Sequence, residues 1–284
     1  MTRTLRTPHT SPINWSDALG YAVEAARSAG KLMRDNLRLP KKINEATQHD
    51  IKLELDVRCQ KRIEKILLGE FPQLALLGEE GSAGEIVSEH RWVVDPIDGT
   101  VNYAHGIPHA CVSIAWQTRH SGRGGKKTKL PSSHREHAYE TQFGVIYDPF
   151  CDELWTAIRS GAARLNGKLI QVSQRRRLDE CVVTLGFSKD PGTLEQMLAG
   201  FNFLLHRVRK LRIMGAGALD LAYVACGRFD AYLEPRVRLW DIAAGGLLIE
   251  CAGGEFWREP LPLAHAYRII ASNGKLRKQL PKFA

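Results

Sequence analysis

Residues 92–102 read WVVDPIDGTVN, an apolar strand that runs directly into two carboxylates three positions apart, with a proline between them and Gly-Thr behind. No other stretch constrains the fold so narrowly. Pro96 removes a backbone donor and keeps Asp95 extended, so the strand ends abruptly with Asp95 and Asp98 able to turn toward one point. Gly99 permits a backbone geometry that other residues resist. Asp98 or Thr100 is then placed to cap a helix begun by TVNYAHG, whose N–H groups and positive dipole end aim at the same point. An anion is the natural guest, yet the carboxylates would repel it, and each other by about 4 kcal/mol per pair at about 4 Å and an effective dielectric of about 20. Cations lying between carboxylate and phosphate remove the contradiction.

Two further acidic positions join this corner. Glu79 and Glu80, in GEEG, follow the short strand ALL (75–77) and so also sit at a strand exit. Asp241, in RLWDIAAGG, opens an Ala/Gly-rich helix; alone it reads as an N-cap, and with the other positions as a ligand. Oxygen ligands with no His or Cys at ligand spacing suit Mg²⁺ or Mn²⁺ and argue against zinc. His105 and His109 lack a third matching ligand and read as packing or surface residues.

The remainder of the chain alternates helices and strands. WSDALGYAVEAARSAGKLMRDNL places Leu19, Ala22, Val23, Ala26, Ala29 and Met33 at helical spacing, and DVRCQKRIEKILLGEF predicts a second helix stopped by Gly69 and Pro72. RWVVD, CVSIAWQT, TQFGVIYDP and DELWTAI predict a sheet. Thr193 and Gln196 form a capping box ahead of a helix with Leu194, Met197, Leu198, Phe201, Leu205 and Val208 on one side. ALDLAYVACG and DIAAGGLLIECAGG predict helices on either side of the strand FDAYLE, and YRIIAS predicts a last strand. The expected class is α/β, with helices layered between sheets. The expected organisation is a flexible tail over 1–13 and one domain over 14–284. Within it two packed lobes, about 14–150 and about 151–284, carry most metal ligands and Asp241 with the substrate wall, respectively.

Composition excludes several classes. The 284 residues, 44% hydrophobic, suffice for a full core. No run approaches a membrane span and the opening residues lack a secretory apolar region, so a cytoplasmic protein is expected. The six cysteines are far apart and read as reduced. The net charge of +9 favours anionic partners without choosing one. Much of it is local: the segment 119–137, RHSGRGGKKTKLPSSHREH, reads as a solvated basic loop insertion, with a nucleic acid contact as the functional alternative. No G-x-x-x-x-G-K-[ST] is present, which removes a P-loop kinase or nucleotidase.

DPIDGT, the preceding GEE, and WD followed by a small-residue helix, in this order and at these separations, resemble the inositol monophosphatase family of magnesium-dependent, lithium-sensitive sugar phosphatases. The resemblance runs from about residue 15 to about residue 274, and ALDLAYVACGRFDAYLE extends it. It implies an αβαβα sandwich, commonly a homodimer, acting on a small phosphorylated metabolite. It also implies that Glu79, Asp95 and the Ile97 carbonyl hold a first magnesium and that Asp95, Asp98 and Asp241 hold a second. Thr100, hydrogen-bonded to Asp56, would orient the attacking water with Glu79, and the Gly99 and Thr100 N–H groups would hold the phosphate, with Asp98 beside them. Glu234 resembles the family's ligand for substrate hydroxyls, and Gly215, Ala216 and Gly217 its sugar-facing wall. The implied reaction is in-line hydrolysis with no nucleophilic side chain.

The chain departs from the pattern in two places. In NEATQHDIKLELD, which the resemblance makes a mobile loop, Glu45 falls where the family carries a lysine and Leu53 where it carries a threonine, with Lys52 the available substitute, so this loop and any third metal ion it helps to hold are left open. Ala216 stands where Ser or Thr is common, and Arg236 and Arg238 bring positive charge near Glu234, which favours substrates with a second anionic group. Histidinol phosphate, fructose bisphosphate and a 3′-phosphoadenosine nucleotide therefore stand beside inositol monophosphate. A rival of another class is a scaffold-derived protein that binds RNA or a transcription complex through 119–137.

Overall fold

An alanine-rich helix face sets the first layer. Along α1 (Trp15–Asn36) the buried Ala18, Ala22, Ala25, Ala26, Ala29 and Met33 recur at helical spacing. Small side chains bring this helix close against α2 (Glu54–Glu70), whose Leu55, Cys59, Ile63 and Leu67 enter the same core. The structure, a computed structural model, describes residues 15–46, 51–84, 88–119, 139–188 and 191–281. The tail expected over 1–13, and the basic loop over 119–137 beyond Arg119, lie outside these residues.

Both helices cover one face of a sheet with eight strands among the described residues. Its members are β3 (Ala75–Gly78), β4 (Gly81–Ala83), β5 (His90–Asp98), β6 (Cys111–Arg119), β7 (Tyr139–Asp148), β8 (Glu153–Ile158), β9 (Arg164–Leu165) and β10 (Lys168–Leu169). Their order is β10-β9-β8-β7-β6-β5-β3-β4, antiparallel except where β3 meets β5. Alternate residues serve opposite cores: Trp92, Val94, Ile114 and Trp116 face α1 and α2, whereas Val93 and Ala115 face the other way. Because both faces are buried, the strands read as nearly continuous apolar runs. Trp92 and Trp116 are register partners, with ring centroids 4.7 Å apart edge to face, a contact that adds about 1 kcal/mol to simple burial.

The second face meets α5 (Gly217–Ala225) and α6 (Leu239–Cys251), which lie between the two sheets. The second sheet, among the described residues, has the order β12 (Lys210–Arg212), β11 (Val182–Leu185), β13 (Ala231–Arg238), β15 (Ala266–Ser272), β14 (Glu255–Pro260). Its outer face is covered by α4 (Pro191–Leu205). The layers thus run αβαβα, as expected. None of the described helices is long and apolar enough to cross a membrane.

Three local expectations are corrected. The α4 helix starts at Pro191, so Thr193 lies in its first turn, buried, and donates its hydroxyl to the Ser188 carbonyl at 3.0 Å instead of capping. Proline is pre-shaped for a first helical turn and displaces the start that the Thr-Gln pattern suggested. Its buried face is Thr193, Met197, Gly200 and Leu204; Leu198 and Leu205 are exposed, and Val208 lies past the helix end. Finally, NEATQHDIKL is not only loop: β1 (Ile43–Ala46) and β2 (Ile51–Leu53) pair antiparallel ahead of α2.

Candidate active site

The strand β5 ends in the turn that opens α3 (Thr100–Ala104). Asp95 is buried, and its Oδ1 accepts the Ile97 N–H at 3.0 Å, folding the carboxyl back over the proline. Gly99 takes φ 91° at the helix N-cap. A Cβ there would stand 2.9 Å from the His109 carbonyl oxygen and 3.1 Å from the Ala216 Cβ, so a side chain is excluded both by conformation and by space. Neither Asp98 nor Thr100 caps α3, contrary to expectation. The Thr100 hydroxyl donates to the Ile97 carbonyl at 2.8 Å, and the implied bond from Thr100 to Asp56 is not formed. A local acceptor three residues back wins over one on another helix.

Asp98 instead opens a different helix. Its Oδ2 accepts the Ala218 N–H at 2.8 Å and its Oδ1 that of Gly217 at 3.2 Å, at the start of α5. Cys111 Sγ lies 3.6 Å from Oδ2. Asp241 is not an N-cap: it sits in the first turn of α6, where its Oδ2 accepts the Arg238 N–H at 3.0 Å. Ser113 of β6 holds that turn in place through the Trp240 carbonyl at 3.1 Å. Two helix starts and one strand end therefore bring Asp95, Asp98 and Asp241 together, with one oxygen of each within 4.8 Å of the others.

Glu79 arrives from β3, where its N–H donates to the Val94 carbonyl at 3.2 Å. Its turn is held by a residue that the sequence reading missed. The buried Gln60 of α2 accepts the Glu80 N–H at 3.0 Å and donates to the Gly81 carbonyl at 3.1 Å. A side chain at position 78 would displace this clasp, because a Cβ would lie 2.3 Å from the Gln60 Oε1 and 2.8 Å from the Gly81 carbonyl oxygen. Asp56, one helical turn earlier on α2, is buried and accepts the Leu53 N–H at 2.7 Å. Polar residues four apart on an otherwise apolar helix face, Asp56 and Gln60, were the available signal for this stripe. Asn102 was likewise missed; its amide donates to the His109 carbonyl at 3.0 Å and the Met214 carbonyl at 2.8 Å, tying α3 to the segment that carries Gly215, Ala216 and Gly217.

Burial, reinforced by neighbouring acids, makes this cluster reluctant to ionise. Burial pushes Asp241 up to about 8, with Asp98 adding to it. Asp98 rises to about 6, held lower by the backbone N–H groups it accepts. Asp95 and Glu79 are both raised well above the carboxylate range, first by burial and then by Glu79 on Asp95 and Asp241 on Glu79. Beyond the cluster, Glu234 on β13 is raised by burial to about 8 and accepts the Tyr232 hydroxyl. The sequence-predicted ligands thus converge, with Glu234 behind Asp98, while Arg238 turns away to donate to the Ala264 carbonyl at 2.9 Å and lie over Trp240.

The donor set tests the expected metal. Two buried carboxylates, Asp95 and Asp98, converge with the half-buried Asp241, and the groups that stabilise their charges locally are backbone N–H donors. Such a set fits a hard divalent cation held by oxygen, and not a thiolate or imidazole metal.

Comparison with known proteins agrees with this chemistry. Residues 14–125 and 137–281 match the inositol monophosphatase family. Inositol monophosphatase 1 of Solanum lycopersicum is 38% identical over 243 residues, covering 83% of this chain and 82% of its own. A protein named Nus factor SuhB from Pseudomonas aeruginosa is 38% identical over 276 residues, 92% of this chain and 93% of its own. Among solved structures, the extragenic suppressor protein suhB of Bartonella henselae superposes with a TM-score of 0.78 at 33% identity, covering 93% of this chain and 96% of that one. Inositol monophosphatase from Anabaena (Nostoc) gives 0.75 at 32% identity, covering 95% and 98%.

Proposed function

The chain belongs to the inositol monophosphatase family, and on that premise we propose that its carboxylate cleft is a magnesium-dependent phosphomonoesterase site for inositol monophosphate or a similar sugar or polyol phosphate. The observation that carries this reading is the gathering of Asp95, Asp98 and Asp241 within 4.8 Å. Glu79, Asp95 and the Ile97 carbonyl would hold one Mg²⁺, and Asp95, Asp98 and Asp241 a second; Mn²⁺ fits the same oxygens, and a third ion is left to the region around Glu45. Divalent cations bound there supply charge neutralisation at the phosphoryl group and at the leaving oxygen, and acidify water.

The chain's own groups do the rest. The Thr100 hydroxyl donates its hydrogen bond to the Ile97 carbonyl, so its oxygen would meet an attacking water as an acceptor. Glu79, which burial keeps reluctant to ionise in the free protein, would be ionised once bound cations offset its charge and could then accept that water's proton; the nearby charge of Asp56 acts on it. Gly99, without a side chain, lets a phosphate approach the N–H groups of residues 99 and 100. Glu234, kept protonated near neutrality by burial and already accepting from Tyr232, engages substrate hydroxyls beside Gly215, Ala216 and Gly217. The protein works as a cytoplasmic homodimer and is inhibited by lithium.

Phosphate release from a panel of phosphorylated metabolites, with Mg²⁺ and with EDTA, tests the proposal; release that persists in EDTA removes it. A second reading is favoured by the relatives named Nus factor SuhB: the same scaffold engages RNA or a transcription complex through 119–137. Steep weakening of RNA binding with salt, lost when that segment is deleted, supports this reading.

A further inference from the structure

The solvent face of the first helix layer carries a second concave site. Between α1 and α2 runs a groove of about 520 Å³ whose walls present Lys31 and Asp35 from one helix and Arg58, Lys61, Arg62 and Lys65 from the other. The four cations of α2 recur at the spacing of a single helix stripe. Like charges at this spacing disfavour the helix that carries them, so the stripe has a cost that only a partner offsets.

Their local partners account for part of the charge. Lys31 pairs with Asp35 at 2.5 Å, Arg58 reaches Glu54 at 3.5 Å along its own helix, and the Arg62 Nε donates to the Ser28 hydroxyl at 2.8 Å. Lys61 and Lys65 make no ion pair or hydrogen bond among the described residues. The groove therefore offers five cations against the single carboxylate of Asp35 in its walls.

We propose that this groove binds a small free anion carrying two or more neighbouring phosphates, at a site separate from the carboxylate cleft. Guanidinium and ammonium groups on facing walls contact such an anion from both sides. The volume lies within the range of small-molecule sites. No aromatic side chain lines the groove, which removes the stacking platform that single-stranded nucleic acid needs. A duplex, about 20 Å wide, would touch only the rims. The two sites use opposite sides of α2: Asp56 and Gln60 are buried toward the cleft, while Arg58, Lys61, Arg62 and Lys65 face water.

The test uses the whole protein in EDTA, with inorganic tripolyphosphate as the probe. EDTA removes the divalent ions through which the proposed carboxylate cleft would hold a phosphate, so binding there does not contribute. Calorimetry is expected to find one site that weakens as salt rises from about 0.05 to about 0.2 M. Lys61→Glu combined with Lys65→Glu is expected to weaken it at least about tenfold, with the unfolding temperature unchanged or raised. Asp95→Asn is expected to leave it intact. Absence of binding at millimolar tripolyphosphate, or undiminished binding in the double variant, overturns the proposal. So does binding of duplex RNA with the same lysine dependence in the absence of tripolyphosphate binding.

Discussion

Asp98 Oδ2 accepts the backbone N–H of Ala218 at 2.8 Å, so the carboxylate that ends strand β5 also starts helix α5. A cap and a proposed cation ligand are thus one group. Asp98→Ala and Asp98→Asn both remove the charge, and only the second keeps an oxygen for the helix start. The Asn variant is expected to be more stable than the Ala variant by about 1 kcal/mol in urea unfolding, with both nearly inactive. Equal stabilities would remove the capping role.

Asp95 is shared between both proposed cation sites, and its folded-back geometry depends on an oxygen that an amide also offers. Asp95→Asn is therefore expected to fold normally and to lose at least about a thousandfold in turnover. Raising Mg²⁺ is expected not to restore it. Substantial residual phosphate release would show that no bridging carboxylate is needed.

Gln60 touches no reacting atom and acts through the turn that carries Glu79. Gln60→Leu leaves the Glu80 N–H and the Gly81 carbonyl without this partner, at about 1–3 kcal/mol of stability. The expected signature is a higher Mg²⁺ requirement for half-maximal activity, with the rate at saturating Mg²⁺ changed less. Gln60→Glu, which keeps the acceptor, is expected to recover part of the shift. An unaltered Mg²⁺ curve for Gln60→Leu would separate the clasp from the site.

Metal-free protein is expected to lose stability as pH rises. Asp98 and Asp241 have folded values of about 6 and about 8, above the ordinary 3.8. Below about pH 4 both the folded and unfolded chains hold these protons and the contribution is complete. Between about pH 4 and 8 the unfolded chain releases protons that the folded chain retains, so the stability contribution drains away through that window. Unfolding temperatures in EDTA should fall across it, and Mg²⁺ should flatten the slope by taking the place of the protons. A temperature that rises from pH 5 to 8 in EDTA would contradict the burial of these carboxyls.

The segment between β6 and β7 is polar and basic. Deleting residues 121–136 is expected to leave phosphate release within about twofold, since such insertions usually tolerate removal. A collapse of activity would place that segment at the site or at a partner subunit.

Read residue by residue, the chain announced much of its architecture. The alanine face of α1, the strands β5 and β6, and the acidic positions Glu79, Asp95, Asp98 and Asp241 all follow from local pattern. Proline and glycine punctuate the strand ends, and their backbone effects act within a few residues. Errors also clustered where local rules compete: Pro191 overrode the Thr193 cap, and Thr100 chose the Ile97 carbonyl over Asp56.

What the sequence determined by itself was therefore which groups are acidic, where strands stop and which faces are apolar, because these depend on side-chain type and backbone stereochemistry. Only the tertiary structure decided that Asp98 caps α5 and not α3, that Gln60 clasps the turn of Glu79, and that Asp241 completes the cluster. Those outcomes depend on layers packing at fixed distances, which bring chemically ordinary groups from distant segments into one water-poor space. Burial there raises the cost of their charges, a cost that a bound cation would offset.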